Sequence, residues 1–187
     1  MTVLLFPGAG SEASHPSLVA IERALAPHRV VRADFPYRLA GRKAPDRAPV
    51  LLAAVREQLA GLPDDEPVVI GGRSMGGRMC SMIAAGADGQ PAPPNLRGLV
   101  LICYPLHPPG KPEQLRVEHL AQIRVPTLFV SGDRDQFGSP AELRQWSATL
   151  PGKVEHLFLE GRDHALKHAD HTIAGAVTDF CRRLKLG

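Results

Sequence analysis

The chain has 187 residues, 44% of them hydrophobic and 22% charged, with a formal charge of +3. Those totals suit one globular domain around a single core, and without a run of Lys or Arg they exclude a basic arm for nucleic acid. The apolar run before Pro7 is too short for a signal-peptide core, and no later run could span a bilayer, so a cytoplasmic protein with no membrane partner is expected.

The first strand is expected at residues 2–6, "TVLLF", followed by the glycine turn "PGAGSEA". Leu18, Ile21 and Leu25 then recur at helical spacing after "SHP". A second strand is expected at 29–35 and a helix around Leu52, Val55 and Leu59. The third strand, 67–72, runs into Gly72-Arg73-Ser74-Met75-Gly76, and Met75, Met79, Met82 and Ile83 mark the helix after it. A fourth strand follows at 96–104, then a short helix in "KPEQLRVEHLAQI", a fifth strand at 126–132 and a sixth at 153–160. Ser139-Pro140-Ala141-Glu142 is a capping box that opens a helix carrying Leu143, Trp146 and Leu150. Ile173, Val177, Phe180 and Leu184 set the last helix. Nearly all-apolar strands alternating with helices imply a parallel sheet covered on both faces, a three-layer α/β/α sandwich in one domain over 1–187. Ligand chemistry in such sheets gathers beyond the carboxyl ends of the strands. Cys80, Cys103 and Cys181 are odd in number and widely spaced, as buried free thiols would be.

The two glycine turns support rival chemistries. Gly8-Ala9-Gly10-Ser11-Glu12-Ala13 satisfies G-x-G-x-x-A, and Asp34 ends the second strand where a dinucleotide-binding domain has its ribose-binding acid. Against that reading, Pro7 stands where the tight turn should begin, and "SHP" starts the helix several residues too late to cradle pyrophosphate. The second turn is G-x-S-x-G between a strand and a helix, the setting of a nucleophile elbow, although a serine there can also merely cap the helix. An acid and a histidine follow in the required order, each just after a strand: Asp133 and Asp135 in "SGDRD", and His164 in "GRDH". Ser74 is therefore the expected nucleophile, His164 its base and Asp135 the orienting acid, with Asp133 the fallback and Asp163 pointing elsewhere. The oxyanion needs two donors: the Met75 N–H is one, and the Ala9 N–H, flanked by Gly8 and Gly10, is the expected other.

These residues resemble the α/β-hydrolase superfamily, in particular small cap-less members similar to dienelactone hydrolases. The longer strings "GGRSMGGR", "YPLHPPGKPEQLR" and "SGDRDQFG" look like a subgroup of α/β-hydrolase-like proteins that includes a testis-expressed protein and a subunit of a chromatin acetyltransferase complex. The resemblance implies a minimal α/β-hydrolase fold of six mainly parallel strands in the order 2-1-3-4-5-6, without a cap domain, and a Ser-Asp-His site needing no cofactor. It leaves the substrate unsettled. The short stretch between the fourth and fifth strands leaves no room for a lid, so a carboxylic ester or thioester of a small acyl substrate is expected, the alternative being a catalytically weak interaction module such as some relatives are. Pro7 replaces the histidine many members carry before the oxyanion glycine, and Ser74 replaces the cysteine of true dienelactone hydrolases.

Tyr104 and His107, just after the fourth strand, are expected to line the pocket. Arg73, Arg78, Arg134 and Arg162 lie near the expected catalytic turns and Lys111 in the "HPPGK" loop. They either hold a carboxylate or phosphate on the substrate or pair at the surface with Asp133, Asp163 and Glu160. His164, His168 and His171 have an i, i+4, i+7 spacing that zinc sites use, but no H-E-x-x-H accompanies them and no metal is expected.

Overall fold

The computed structural model describes residues 1–184; the last three expected residues of the domain lie outside it. In chain order the elements are β1 (Thr2–Phe6), α1 (Pro16–Ala24), β2 (Arg29–Arg32), α2 (Pro36–Leu39), α3 (Ala48–Ala60), β3 (Val68–Arg73), α4 (Met75–Ala84), β4 (Leu96–Ile102), β5 (Thr127–Gly132), α5 (Pro140–Ser147), β6 (Val154–Leu159) and α6 (Asp170–Arg183). The six strands form one sheet in the order β2-β1-β3-β4-β5-β6, and every neighbouring pair is parallel.

The strands are apolar throughout because both faces are covered. Alternation along β1 sends Val3 and Leu5 to the layer of α1 and α6, where they meet Leu18, Ile21, Ile173 and Val177. Leu4 and Phe6 go to the opposite layer, with Val55 of α3, Met79 of α4 and Leu143 of α5. Central β1, β3 and β5 are buried along their whole length, whereas the edge strands β2 and β6 are half-exposed. From β2 the chain crosses back past β1 to start β3, so the topological switch lies between the carboxyl ends of β1 and β3. A crevice opens there, and both glycine turns border it.

Three expectations are corrected. The second strand stops at Arg32 rather than 35, and Pro36 opens the short, unforeseen helix α2. The fourth stops at Ile102 rather than 104, because Cys103 turns out of the sheet at φ 52°. The helix expected across 111–123 is reduced to a 3₁₀ turn at Leu120–Gln122. In an α-helix the Arg116 carbonyl would accept from the Leu120 N–H. Here it accepts from the Tyr104 hydroxyl at 2.9 Å, and the Leu120 N–H closes on Val117 instead.

Candidate active site

Ser74 sits between β3 and α4 at φ 47°, ψ −115°, in the left-handed region that side chains rarely occupy. Its hydroxyl makes no capping bond to α4, so the capping role is not the one it plays. The sharp corner is possible because its neighbours lack side chains. A Cβ on Gly72 would lie 2.1 Å from the Phe6 carbonyl oxygen, and one on Gly76 would lie 2.5 Å from the same atom. The Ser74 N–H donates to Ile102 O at 2.7 Å, tying the corner to β4.

The Ser74 Oγ lies 3.0 Å from His164 Nε2, although 90 positions separate the two residues. His164 Nδ1 lies 3.0 and 2.9 Å from the two carboxylate oxygens of Asp135. A carboxylate only accepts, so Nδ1 carries the ring proton and Nε2 presents its lone pair to the serine hydroxyl, which donates. Such a chain can draw the proton from Oγ as the oxygen forms a new bond, while the acid holds the resulting imidazolium. Asp135 is buried, and its Oδ1 also accepts from the Phe137 N–H at 2.9 Å. Asp133 and Asp163 stand outside this chain: Asp163 accepts from the Ala165 N–H, and Asp133 has a buried oxygen without a partner.

The β5 and β6 loops that carry the acid and the histidine touch backbone to backbone. A Cβ on Gly132 would lie 2.1 Å from Arg162 O, and the Arg134 N–H donates to that same carbonyl at 2.9 Å. Arg73, the last residue of β3, is buried, and its Nη2 donates to the carbonyls of His164 (2.9 Å) and Ala165 (3.2 Å). The Cys103 thiol donates to the same His164 carbonyl at 3.2 Å; burial pushes that thiol up to about 12, leaving it protonated for the purpose. The Phe137 ring packs on the His164 imidazole with centroids 4.1 Å apart.

The first glycine turn faces the serine across the crevice, where a Cβ on Gly8 would lie 3.5 Å from the Ser74 Cβ, in van der Waals contact. Ser11 caps the turn. Its hydroxyl accepts the Gly8 N–H at 3.1 Å, and Gly8 O accepts the Ser11 N–H at 3.1 Å. In a trans peptide the N–H points opposite to the preceding carbonyl, so the Ala9 N–H is turned away from Ser11. On the far side Tyr37, from the unforeseen α2, donates its hydroxyl to Ala9 O at 2.8 Å. The Asp34 carboxylate accepts the Ala13 N–H at 2.8 Å, and α1 starts only at Pro16, so this turn does not feed its N–H groups into a helix.

A cleft of about 510 Å³ opens over Ser74 and His164 and is lined by Gly8, Ala9, Gly10, Arg73, Met75 and Arg78, all singled out in the sequence, together with His15, Pro105, Arg116 and Phe137. Tyr104 and His107 do not border it. Tyr104 is buried edge-on against Phe129, its hydroxyl under the Arg116 carbonyl. His107 is buried, with Nδ1 2.8 Å from Pro108 O and Nε2 3.4 Å from a Glu142 oxygen. A larger groove of about 870 Å³ runs between α1 and α6, but none of Ser74, Asp135 or His164 borders it. His164, His168 and His171 do not gather around a common point. The stretch from Gly161 to Ala169 is not helical, so the spacing lacks the face it needs, and the cluster with metal-ligand spacing among the described residues is Cys103, Asp135 and His164. Tyr37 was missed, and Arg73 was foreseen at the cleft but not as a prop for the His164 carbonyl, because their partners are 28 and 91 positions away in sequence. No local pattern signals such pairings.

A family model described as "Alpha/beta hydrolase domain" matches residues 1–181. Among solved structures, the chain is similar to Est1E from Butyrivibrio proteoclasticus, with a TM-score of 0.72, 16% identity and coverage of 97% of this chain and 86% of that one. It is also similar to a putative hydrolase of the alpha/beta superfamily from Xanthomonas campestris pv. campestris, with a TM-score of 0.73, 20% identity and coverage of 98% and 99%. The type II thioesterase BorB from the borrelidin biosynthetic cluster matches with a TM-score of 0.70, 21% identity and coverage of 97% and 91%. At these identities the likeness is one of fold. No helix among the described residues is long and apolar enough to cross a membrane.

Proposed function

The chain belongs to the alpha/beta hydrolase domain family, and on that premise we propose that it is a serine hydrolase cleaving a carboxylic ester or thioester of a small acyl substrate. The observation that carries the reading is the unbroken run of contacts from the strained Ser74 hydroxyl to His164 Nε2, and from His164 Nδ1 to the buried Asp135 carboxylate.

In this reading Ser74 Oγ attacks the acyl carbon as His164 Nε2 takes its proton. The carbonyl oxygen becomes the oxyanion, for which the N–H groups of Met75 and Ala9 are the proposed donors; both residues line the cleft. Collapse breaks the ester or thioester bond. The imidazolium gives its proton to the departing oxygen or sulfur, leaving an acyl-Ser74 intermediate. Water, deprotonated by His164, then attacks that acyl carbon, and the returning proton restores the serine hydroxyl. Asp135 keeps the imidazole in the tautomer that makes both transfers possible. Arg73 and Cys103 act through His164: they hold the carbonyl of the residue that must stay aligned. Each step uses the chain's own groups and water.

The esterase, thioesterase and hydrolase titles of the structural neighbours agree with this chemistry class. The absence of any element between β4 and β5 larger than a 3₁₀ turn leaves the cleft without a lid among the described residues, which suits small or partly exposed esters. The strings "GGRSMGGR" and "SGDRDQFG" further support placing the chain in the subgroup with the testis-expressed protein and the acetyltransferase-complex subunit.

A fluorophosphonate probe tests the proposal directly. The wild-type chain is expected to be labelled and to hydrolyse p-nitrophenyl esters; Ser74→Ala is expected to take no label and to lose about 10⁴-fold or more in kcat. A folded wild type that neither labels nor turns over overturns it.

A further inference from the structure

We infer that the cleft over Ser74 holds an anion-binding subsite formed by Arg78 and Arg116, so that its preferred substrate is an ester carrying a carboxylate or phosphate group. This rests on the hydrolase reading of the same cleft. Arg78 follows Ser74 by one turn of α4, its N–H closing on Ser74 O at 2.9 Å, so the two side chains share a helix face. Arg116 reaches the same cleft from the loop after β4.

Among the described residues neither member of the pair meets a carboxylate, and both border the cleft over Ser74. With Arg73, three guanidinium groups line the cleft, and none of its lining residues is acidic. Arg73 is committed through Nη2 to the carbonyls of His164 and Ala165. Arg78 is half-buried, with its Nε shut away from solvent and without a partner. Arg116 is half-buried as well; burial and the nearby Arg78 charge both pull it down from its usual value. By contrast, Arg32, Arg38, Arg42, Arg56 and Arg183 each meet a carboxylate. Two like charges kept close together and half out of water are costly unless a ligand supplies the opposite charge.

The layer beneath preserves the arrangement. The Tyr104 hydroxyl fixes the Arg116 carbonyl, and the neighbouring His119, 2.7 Å from Ser81 Oγ, is buried. Burial and the Arg78 charge lower His119 to about 4, so at neutral pH it is uncharged and adds no positive charge below the arginines. Glu118 is exposed and near enough for its charge to act on His119, but it is in none of the ion pairs among the described residues. The planar fork of a guanidinium matches carboxylate or phosphate oxygens, and two of them border this cleft.

The test is the ratio of kcat/KM for mono-4-nitrophenyl glutarate to that for 4-nitrophenyl valerate, two esters of equal chain length. The wild type is expected to favour the anionic ester by about tenfold or more at low salt, and 0.5 M NaCl is expected to erode most of that preference. Arg78→Gln and Arg116→Gln are each expected to lower the ratio about three- to tenfold, with Arg78→Lys recovering part of it. A wild-type ratio near one, insensitive to salt, overturns the subsite, and does so even if the variants fail to fold. If the wild type neither labels with fluorophosphonate nor cleaves either ester, the hydrolase reading has failed. The subsite then stands or falls on calorimetric titration with glutarate and with inorganic phosphate. Binding by the wild type that is lost in both Gln variants upholds it, the stronger ligand naming the anion; no binding by the wild type removes it.

Discussion

The corner at Gly71–Gly77 and the loop at Cys103–His119 both deliver residues to one cleft, yet they are built on opposite principles. The corner is held by backbone against backbone: Gly72 and Gly76 press on the Phe6 carbonyl, and Ser74 is strained into place between them. The proline-rich loop is held by scattered hydrogen bonds, the Tyr104 hydroxyl to Arg116 O, the Arg116 N–H to Leu106 O and His119 to Ser81. In the proposed reaction the corner supplies the nucleophile, which must not move, and the loop supplies Arg116 to the proposed anion subsite. A backbone-packed corner tolerates almost no substitution, while a loop pinned by a few hydrogen bonds can change its cargo without endangering the fold.

That contrast can be broken most severely at Gly72. A Cβ there would sit 2.1 Å from a β1 carbonyl that cannot retreat without opening the sheet. Gly72→Ala is expected to cost at least about 3 kcal/mol, read by urea unfolding or as loss of soluble protein. A stability within about 1 kcal/mol of the wild type would show that the corner yields as readily as the loop.

The loop side is sharpened by acid. His119 is held near pH 4 in the folded protein against about 6.5 when unfolded, by burial first and the Arg78 charge second, with Tyr104, Ser81 and Glu118 as its other neighbours. Between those values the unfolded chain binds the extra proton. Stability contributed by neutral His119 is therefore present above about pH 6.5 and is lost as pH falls toward 4, up to about 3 kcal/mol in all. His119→Gln is expected to flatten that part of the stability–pH curve relative to wild type; parallel curves would count against it. Tyr104→Phe is the mildest change. It removes the bond to Arg116 O and is expected to cost about 1 kcal/mol in urea unfolding while leaving fluorophosphonate labelling of Ser74 intact. Loss of labelling would mean that loop and corner are one unit.

The parts legible in advance were those with a local cause. Alternating apolar runs and helical spacings marked all six strands and the five longer helices, and the capping box opened α5 at Ser139 as expected. Gly72 and Gly76 announced the corner because only glycine fits there. The helix read into 111–123 is replaced by a loop whose bonds go to a residue outside that window, the Tyr104 hydroxyl meeting the Arg116 carbonyl while the Leu120 N–H closes on Val117. Tyr104 and His107 follow β4 in sequence, which suggested the pocket, but Cys103 turns the chain at φ 52° and both side chains end in the interior. The overlooked Tyr37 lies on a four-residue helix too short to leave a periodic trace.

By itself, then, the sequence determined the strand and helix order, the strained serine between its glycines, and the succession of serine, aspartate and histidine after three strands. Which aspartate meets His164, which arginines share the cleft and which aromatic pins Ala9 were decided only when the sheet assembled. Backbone rules act over three or four residues, whereas Asp135 and His164 are 29 positions apart and Arg73 and His164 are 91. At such separations the pairing depends on strand order and on how closely two loops can approach, as Gly132 allows against Arg162.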